Sequence, residues 1–167
     1  AETAYPYTLE LLDLGRSSIS NLSVLTLPVI MGSVSQLPIP HEVAPKIFNS
    51  AFLLDGKGHI KGVYHKRHLV PFGEYVPLKK FLTFAKTLTK VVSDFSRGEE
   101  ASLLLFDELR VGVLICYEDI FPDLARHVVG RGANILVNLT NDAWYGDTSA
   151  QYQHLVFSQF RALENRR

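Results

Sequence analysis

Apolar residues run unbroken through Val111-Gly-Val-Leu-Ile-Cys116 and are then cut off by charge at Glu118 and Asp119. A run of this kind, with Arg110 before it and the acidic pair after it, predicts a strand buried on both faces. Ala133-Asn-Ile-Leu-Val-Asn138 predicts a second buried strand. Residues 102–106 predict a third, joined to the first by a tight turn at Asp107-Glu108. Two β-rich segments, 48–55 and 59–64, flank Gly56-Lys57-Gly58 and read as a hairpin. Residues 23–34 are also β-rich, centred on 25–31, where Pro28 predicts a bulge or a shorter strand. Helical spacing of apolar positions marks residues 7–16 (Leu9, Leu12), 78–92, 121–129 and 150–167. Gly130 and Gly132 stop the third of these helices. Between the hairpin and the second helix the chain is irregular, punctuated by Pro71, Gly73 and Pro77. Strands alternating with helices, without repeats or a low-complexity linker, predict one α/β layered domain over residues 1–167.

Composition narrows the function classes. The 167 residues allow a sizeable core, and 17 basic against 17 acidic residues recommend no nucleic-acid partner. A single cysteine excludes an internal disulfide and a cysteine-rich zinc site. No apolar stretch approaches the roughly 20 residues of a membrane-spanning helix. The chain opens at Ala1-Glu2-Thr3 with no initiator Met and no signal peptide, and reads as cut from something longer.

Cys116 falls at the C-terminal end of its predicted strand, where open α/β sheets place their chemistry. Alone it reads as a small buried hydrophobe. As a nucleophile it needs a base for its proton and positive charge for the thiolate and the later oxyanion. Candidate bases are Glu2, Glu74, Glu118, Asp119 and the histidines, His65 and His68 among them, and candidate cations are Lys66 and Arg67. Residues 64–77 concentrate charge beside aromatics with the Pro and Gly punctuation of a fixed loop, although a solvated basic turn accounts for the segment equally well. Trp144, the lone tryptophan, reads first as a packing anchor and second as a substrate contact. Residues 78–92 mix four lysines with an apolar face, which suits a surface helix or an interfacial arm inserting Phe81 and Phe84 among lipid headgroups.

Tyr64-His-Lys66, His68-Leu69, Cys116-Tyr-Glu118 and Asn138-Leu-Thr-Asn-Asp-Ala-Trp-Tyr-Gly146 together resemble the nitrilase, or carbon–nitrogen hydrolase, superfamily. The finer pattern resembles its apolipoprotein N-acyltransferase branch: Lys66-x-His-Leu-Val-Pro-Phe-Gly-Glu-Tyr-Val-Pro77, Asn141-Asp-Ala-Trp-Tyr-Gly146, and Gln153-His154 through Arg161-Ala-Leu-Glu-Asn-Arg166. The match runs in order over nearly the whole chain. It implies a nitrilase-type α-β-β-α sandwich, incomplete at both ends, that is the central part of a catalytic domain whose membrane helices are absent here. It also implies a Glu-Lys-Cys triad of Glu2, Lys66 and Cys116, with Glu74, Tyr117, Glu118 and Asn49 as further active-site residues. The Trp-Pro pair that usually precedes the family's glutamate is missing, and Ala1 stands where proline is expected. The implied reaction passes a fatty acyl chain from a phospholipid, through a Cys116 thioester, to the N-terminal amine of a lipoprotein's diacylglyceryl-cysteine. The implied setting is the periplasmic side of the bacterial inner membrane, with no metal and no organic cofactor. The alternatives are a soluble amidohydrolase or nitrilase with the same triad, water replacing the amine, and an inactive scaffold that keeps the fold.

Overall fold

Two β-sheets packed face to face account for the unbroken apolar runs. The computed structural model describes residues 9–10, 27–38, 44–77 and 94–167. The first sheet takes the order β1 (Leu9–Glu10), β2 (Val29–Leu37), β3 (Lys46–Leu54), β4 (Ile60–His65). Its β1–β2 pair is parallel and the rest antiparallel. The second holds β5 (Leu103–Phe106), β6 (Leu109–Ile115) and β7 (Ile135–Leu139). In it β5–β6 is an antiparallel hairpin, and β6–β7 is a parallel pair crossed over by helix α1 (Pro122–Gly130). Helix α2 (Ala150–Asn165) follows a short 3-10 turn at Asp142–Tyr145 and lies beside α1.

The period of 2 along β6 decides the layering. Val111, Val113 and Ile115 turn to the first sheet and share a core with Ala51, Leu53, Tyr64 and Leu104. Leu114, on the opposite face, meets Leu124 and Ala125 of α1. At Gly112 a β-carbon would come within 2.7 Å of Val128, so glycine lets the helix settle close to the strand. Phe52 and Leu54 are buried on the far face of the first sheet with Met31, Ile60 and Val63. Each such fully buried side chain contributes about 1.5–3 kcal/mol of apolar burial.

The predicted hairpin forms between β3 and β4, and Asp55 fastens its turn by accepting the backbone N–H groups of Lys57 at 2.8 Å and His59 at 2.9 Å. Two elements differ from expectation. Leu9 and Glu10 belong not to a helix but to strand β1, pairing with Ser35 and Gln36. A short isolated helix is marginal, and a ready sheet edge competes successfully with local spacing. The other residues of that predicted helix, and the predicted helix over 78–92, lie outside the described residues. Strand β2 (Val29–Leu37) starts just after Pro28 and ends beyond the predicted limit at residue 34, because pairing with β3 continues through the buried Ser33 and Ser35, while the predicted residues 23–26 lie outside the described residues. The hydroxyls of Ser35 and Ser50, 2.7 Å apart, satisfy each other across that pair.

Candidate active site

Lys66 leaves β4 with its backbone fixed on both sides: its N–H donates to the Asn49 carbonyl at 2.8 Å, and its carbonyl accepts the Gly98 N–H at 2.8 Å. Its side chain is 1% exposed, and the ammonium lies 3.0 Å from both Glu74 carboxylate oxygens. The Asn49 amide donates to Glu74 Oε1 at 2.9 Å and the Val70 N–H donates to Oε2 at 2.8 Å. Two charges can stay this deep in a domain because each is paired and hydrogen-bonded. Asn49 thus turns its side chain to a carboxylate, not to a neighbouring backbone, and grips the Lys66 loop at two points.

Cys116 opens a 3-10 turn, Cys116–Ile120, directly after β6. It is 7% exposed and adopts φ +52°, a left-handed conformation that costs a non-glycine residue about 1–3 kcal/mol and persists only where surrounding contacts impose it. Two residues of the same turn impose it. Glu118, fully buried, accepts the Ile115 N–H and the Tyr64 hydroxyl on Oε2, both at 2.9 Å. Its Oε1 accepts the N–H groups of Arg67 at 2.7 Å and His68 at 2.9 Å. Burial pushes the Glu118 carboxyl up, and these donors oppose that push. Four donors and no acceptor form the surroundings of a carboxylate rather than a carboxylic acid. One side chain therefore ties the residue before Cys116 to the two residues after Lys66.

Asp119, also fully buried, faces the other way. Its Oδ2 accepts Ser158 at 2.7 Å and the Asn138 amide at 3.0 Å, and its Oδ1 lies 3.2 Å from His154 Nε2. Burial raises the Asp119 carboxyl, against the pull of Ser158, His154 and Asn138. Asn138 also reaches the Cys116 carbonyl at 3.3 Å.

The structure thus gathers Lys66, Glu74 and Asn49 into one buried cluster and joins it through Glu118 to the Cys116 turn. Tyr117 packs edge-on to Phe121, ring centres 5.1 Å apart. Trp144 is 69% exposed on the Asp142–Tyr145 turn and is not a packing anchor. Glu2, Phe81 and Phe84 lie outside the described residues. His65 stacks on Phe48 at 4.3 Å and meets Ser50 at 2.7 Å, and burial lowers its basicity. His68 packs on Phe121 at 4.5 Å and is lowered by burial, then by Arg97 and Arg67. The imidazole that faces the Cys116 carbonyl is His154 of α2. In the sequence His154 stands among the candidate histidine bases and in the Gln153-His154 stretch of the resemblance, with no partner assigned to it. Among the described residues no cluster of ligating side chains suits a metal ion, and no helix is long and apolar enough to cross a membrane.

A sheet-on-sheet α/β domain places a cysteine in a left-handed turn after a central strand and joins that turn to a buried lysine–carboxylate pair, residue types that nucleophilic chemistry requires. The carbon–nitrogen hydrolase family model matches residues 25–167, and the chain belongs to that family. It resembles the crystal structure of a carbon–nitrogen hydrolase from Helicobacter pylori with a TM-score of 0.51 and 19% identity, over 81% of this chain and 43% of that one. At that identity the likeness shows the fold, and the architecture is the expected nitrilase-type sandwich. Among curated relatives, apolipoprotein N-acyltransferase of Geobacter metallireducens is 50% identical over 121 residues, 72% of this chain and 23% of its own length. That of Bdellovibrio bacteriovorus is 39% identical over 176 residues, 99% of this chain and 32% of its own. That of Brucella suis is 37% identical over 98% of this chain and 31% of its own. The chain thus spans about a quarter to a third of the length of these relatives.

Proposed function

We propose that this chain is the central part of the catalytic domain of an N-acyltransferase that modifies bacterial lipoproteins. The observation that carries this reading is the 37–50% identity to proteins named apolipoprotein N-acyltransferase. In the proposed reaction Glu2 takes the proton of Cys116, and the thiolate attacks an ester carbonyl of a membrane phospholipid. Lys66, with a backbone N–H of the Cys116 turn, stabilises the tetrahedral oxyanion, a contribution of about 2.7–4 kcal/mol for one preorganised donor. The lysophospholipid leaves as its alkoxide collects the proton from Glu2, and the acyl chain remains as a thioester on Cys116. The N-terminal amine of a diacylglyceryl-cysteine then attacks the thioester. Its proton passes to Glu2, an amide forms, and the thiolate is restored. A thioester suits this sequence because it accepts an amine readily and yet waits for one, provided water is kept out.

In this reading Glu74 and Asn49 hold Lys66 in place, Glu118 sets its distance from Cys116, and Tyr117 and Trp144 line the substrate's approach. Phe81 and Phe84 insert into the lipid surface as an interfacial arm. The setting is the periplasmic face of the bacterial inner membrane, with phospholipid as donor and lipoprotein as acceptor, and no step calls on a metal or organic cofactor.

The deciding experiment incubates the whole enzyme with phospholipid alone and maps the acyl adduct by mass spectrometry. The adduct is expected on Cys116, to persist until a diacylglyceryl peptide with a free N-terminal amine is added, and to be lost in a folded Cys116→Ser variant. An adduct on another residue, or full turnover by the serine variant, removes Cys116 from the reaction. Rapid release of free fatty acid without an amine replaces transfer by hydrolysis and makes the chain an amidohydrolase.

A further inference from the structure

His154 is 6% exposed, and both of its ring nitrogens face acceptors. Nδ1 lies 2.8 Å from Asp142 Oδ1 on the turn that carries Trp144. Nε2 lies 3.2 Å from Asp119 Oδ1, in ion-pair range although off the line of a straight hydrogen bond, and the Cys116 carbonyl also faces the ring. A neutral imidazole offers one N–H and one lone pair, so one nitrogen would point its lone pair at a carboxylate. Only the imidazolium can donate on both sides. Burial alone would lower its basicity, but Asp142, Asp119 and the Cys116 carbonyl outweigh that, and the net direction is upward.

The geometry points to His154 as a positioning residue, a charged clamp that holds the Cys116 turn against the Trp144 turn and keeps the nucleophile in register with the wall its substrate passes. The inference deepens the proposed acyl transfer, in that Cys116 is taken as the loaded residue. Among the described residues the groups around the ring are few. The Cys116 turn supplies the Cys116 carbonyl and Asp119, and β7 supplies the neutral Asn138, which shares Asp119. The second turn supplies Asp142 and the Tyr145 ring, its centre 6.1 Å away. On α2 itself Ser158 shares Asp119, and the next buried charge is Arg161, two turns on. Loss of the proton would turn one donor into a lone pair facing a carboxylate, and the two turns would separate. The Cys116 turn would then lose the ion pair through Asp119 that ties it to α2.

The test reads the clamp in the whole enzyme in two ways. Hydrogen–deuterium exchange at the His154 ring C–H, followed by mass spectrometry against pH, titrates this histidine in the wild-type protein without any variant. A midpoint above the ordinary 6.5 is expected, and one at or below 6.5 overturns the clamp. Acyl loading of Cys116 from phospholipid is then followed against pH. Loading is expected to fall on the alkaline side as His154 loses its proton. Asp142→Asn, at a part-exposed carboxylate, should move both the exchange midpoint and that fall about one unit toward acid, as loss of one facing charge does. His154→Gln, which keeps a hydrogen bond but no titrating charge, should slow loading about tenfold at neutral pH and abolish the alkaline fall. A residue that merely fills space would leave the midpoint and the fall unmoved in Asp142→Asn, and that result also overturns the proposal. If phospholipid loads no acyl group at all, the acyl-transfer reading fails by itself, and the exchange midpoint still decides the clamp.

Discussion

Glu118 Oε1 accepts the backbone N–H of Arg67 at 2.7 Å, across 51 positions of sequence. With the Ile115 amide on its other oxygen, Glu118 measures out the gap between the Lys66 loop and the Cys116 turn. Replacing it by Gln keeps the shape but puts an NH2 group where one oxygen now accepts two donors. Leaving buried donors unmatched costs about 1–3 kcal/mol each. Glu118→Gln should therefore lower the melting temperature clearly in a thermal scan. It should also slow Cys116 loading in the protein that remains folded. An unchanged melting temperature would mean that Glu118 is not the clamp.

Lys66 and Arg67 are adjacent cations with different surroundings. Lys66 is buried against Glu74, whereas Arg67 is half-buried and fixed by its backbone. Lys66→Ala should cost at least about two orders of magnitude in Cys116 loading, the size of one lost oxyanion donor. It should also lose stability, because Glu74 is left charged and buried. Arg67→Ala should change loading little. Equal losses in single-turnover loading would make the loop a general basic patch.

Much of this site could be read from local sequence. The run ending at Cys116 is buried on both faces because its layer has neighbours on both sides, and apolar composition records that directly. The Gly56-Lys57-Gly58 hairpin was equally legible, since the turn needs only nearby residues. Glu118 was visible as a charge that ends a strand, but its partners Tyr64, Arg67 and His68 are about 50 positions away, and no local pattern encodes them. Helix α2 misleads more. It buries His154 and Arg161 while Leu155, Phe157, Phe160 and Leu163 are exposed, the reverse of what apolar spacing suggests. The buried Asp119 explains the inversion, because it draws His154 and Ser158 inward.

Gly98 presents a purely steric prediction. A β-carbon there would collide with the His65 backbone carbonyl, while the Gly98 N–H donates to Lys66 at 2.8 Å. Backbone cannot swing aside as a side chain can, so Gly98→Ala must push this segment away from Lys66. A loss of about 1–3 kcal/mol is expected from overpacking. Urea unfolding should show it as a lower midpoint at unchanged slope, whereas a wild-type midpoint would mean that the segment can shift freely.

The histidines set the dependence of stability on pH, and they act in opposite directions. Burial lowers His65 from its ordinary 6.5, so the folded state resists its protonation and the unfolded chain binds that proton more readily. The stability this gives is present above 6.5 and is lost as pH falls below it. His68 shifts the same way. His154 is raised, so its stability is fully present below 6.5 and is lost as pH climbs through its higher folded value. Together they predict a melting temperature that is greatest near neutral pH and declines on both sides. His65→Gln, which keeps a polar partner for Ser50 but cannot take up a proton, should flatten the acid side alone. His154→Gln should flatten the alkaline side alone. Thermal scans of the three proteins between about pH 5 and pH 9 separate the effects, a range that brackets the ordinary histidine value. An acid limb unchanged in His65→Gln would move that dependence to His68 or to the carboxylates. An alkaline limb unchanged in His154→Gln would leave the imidazolium between Asp119 and Asp142 without a part in stability.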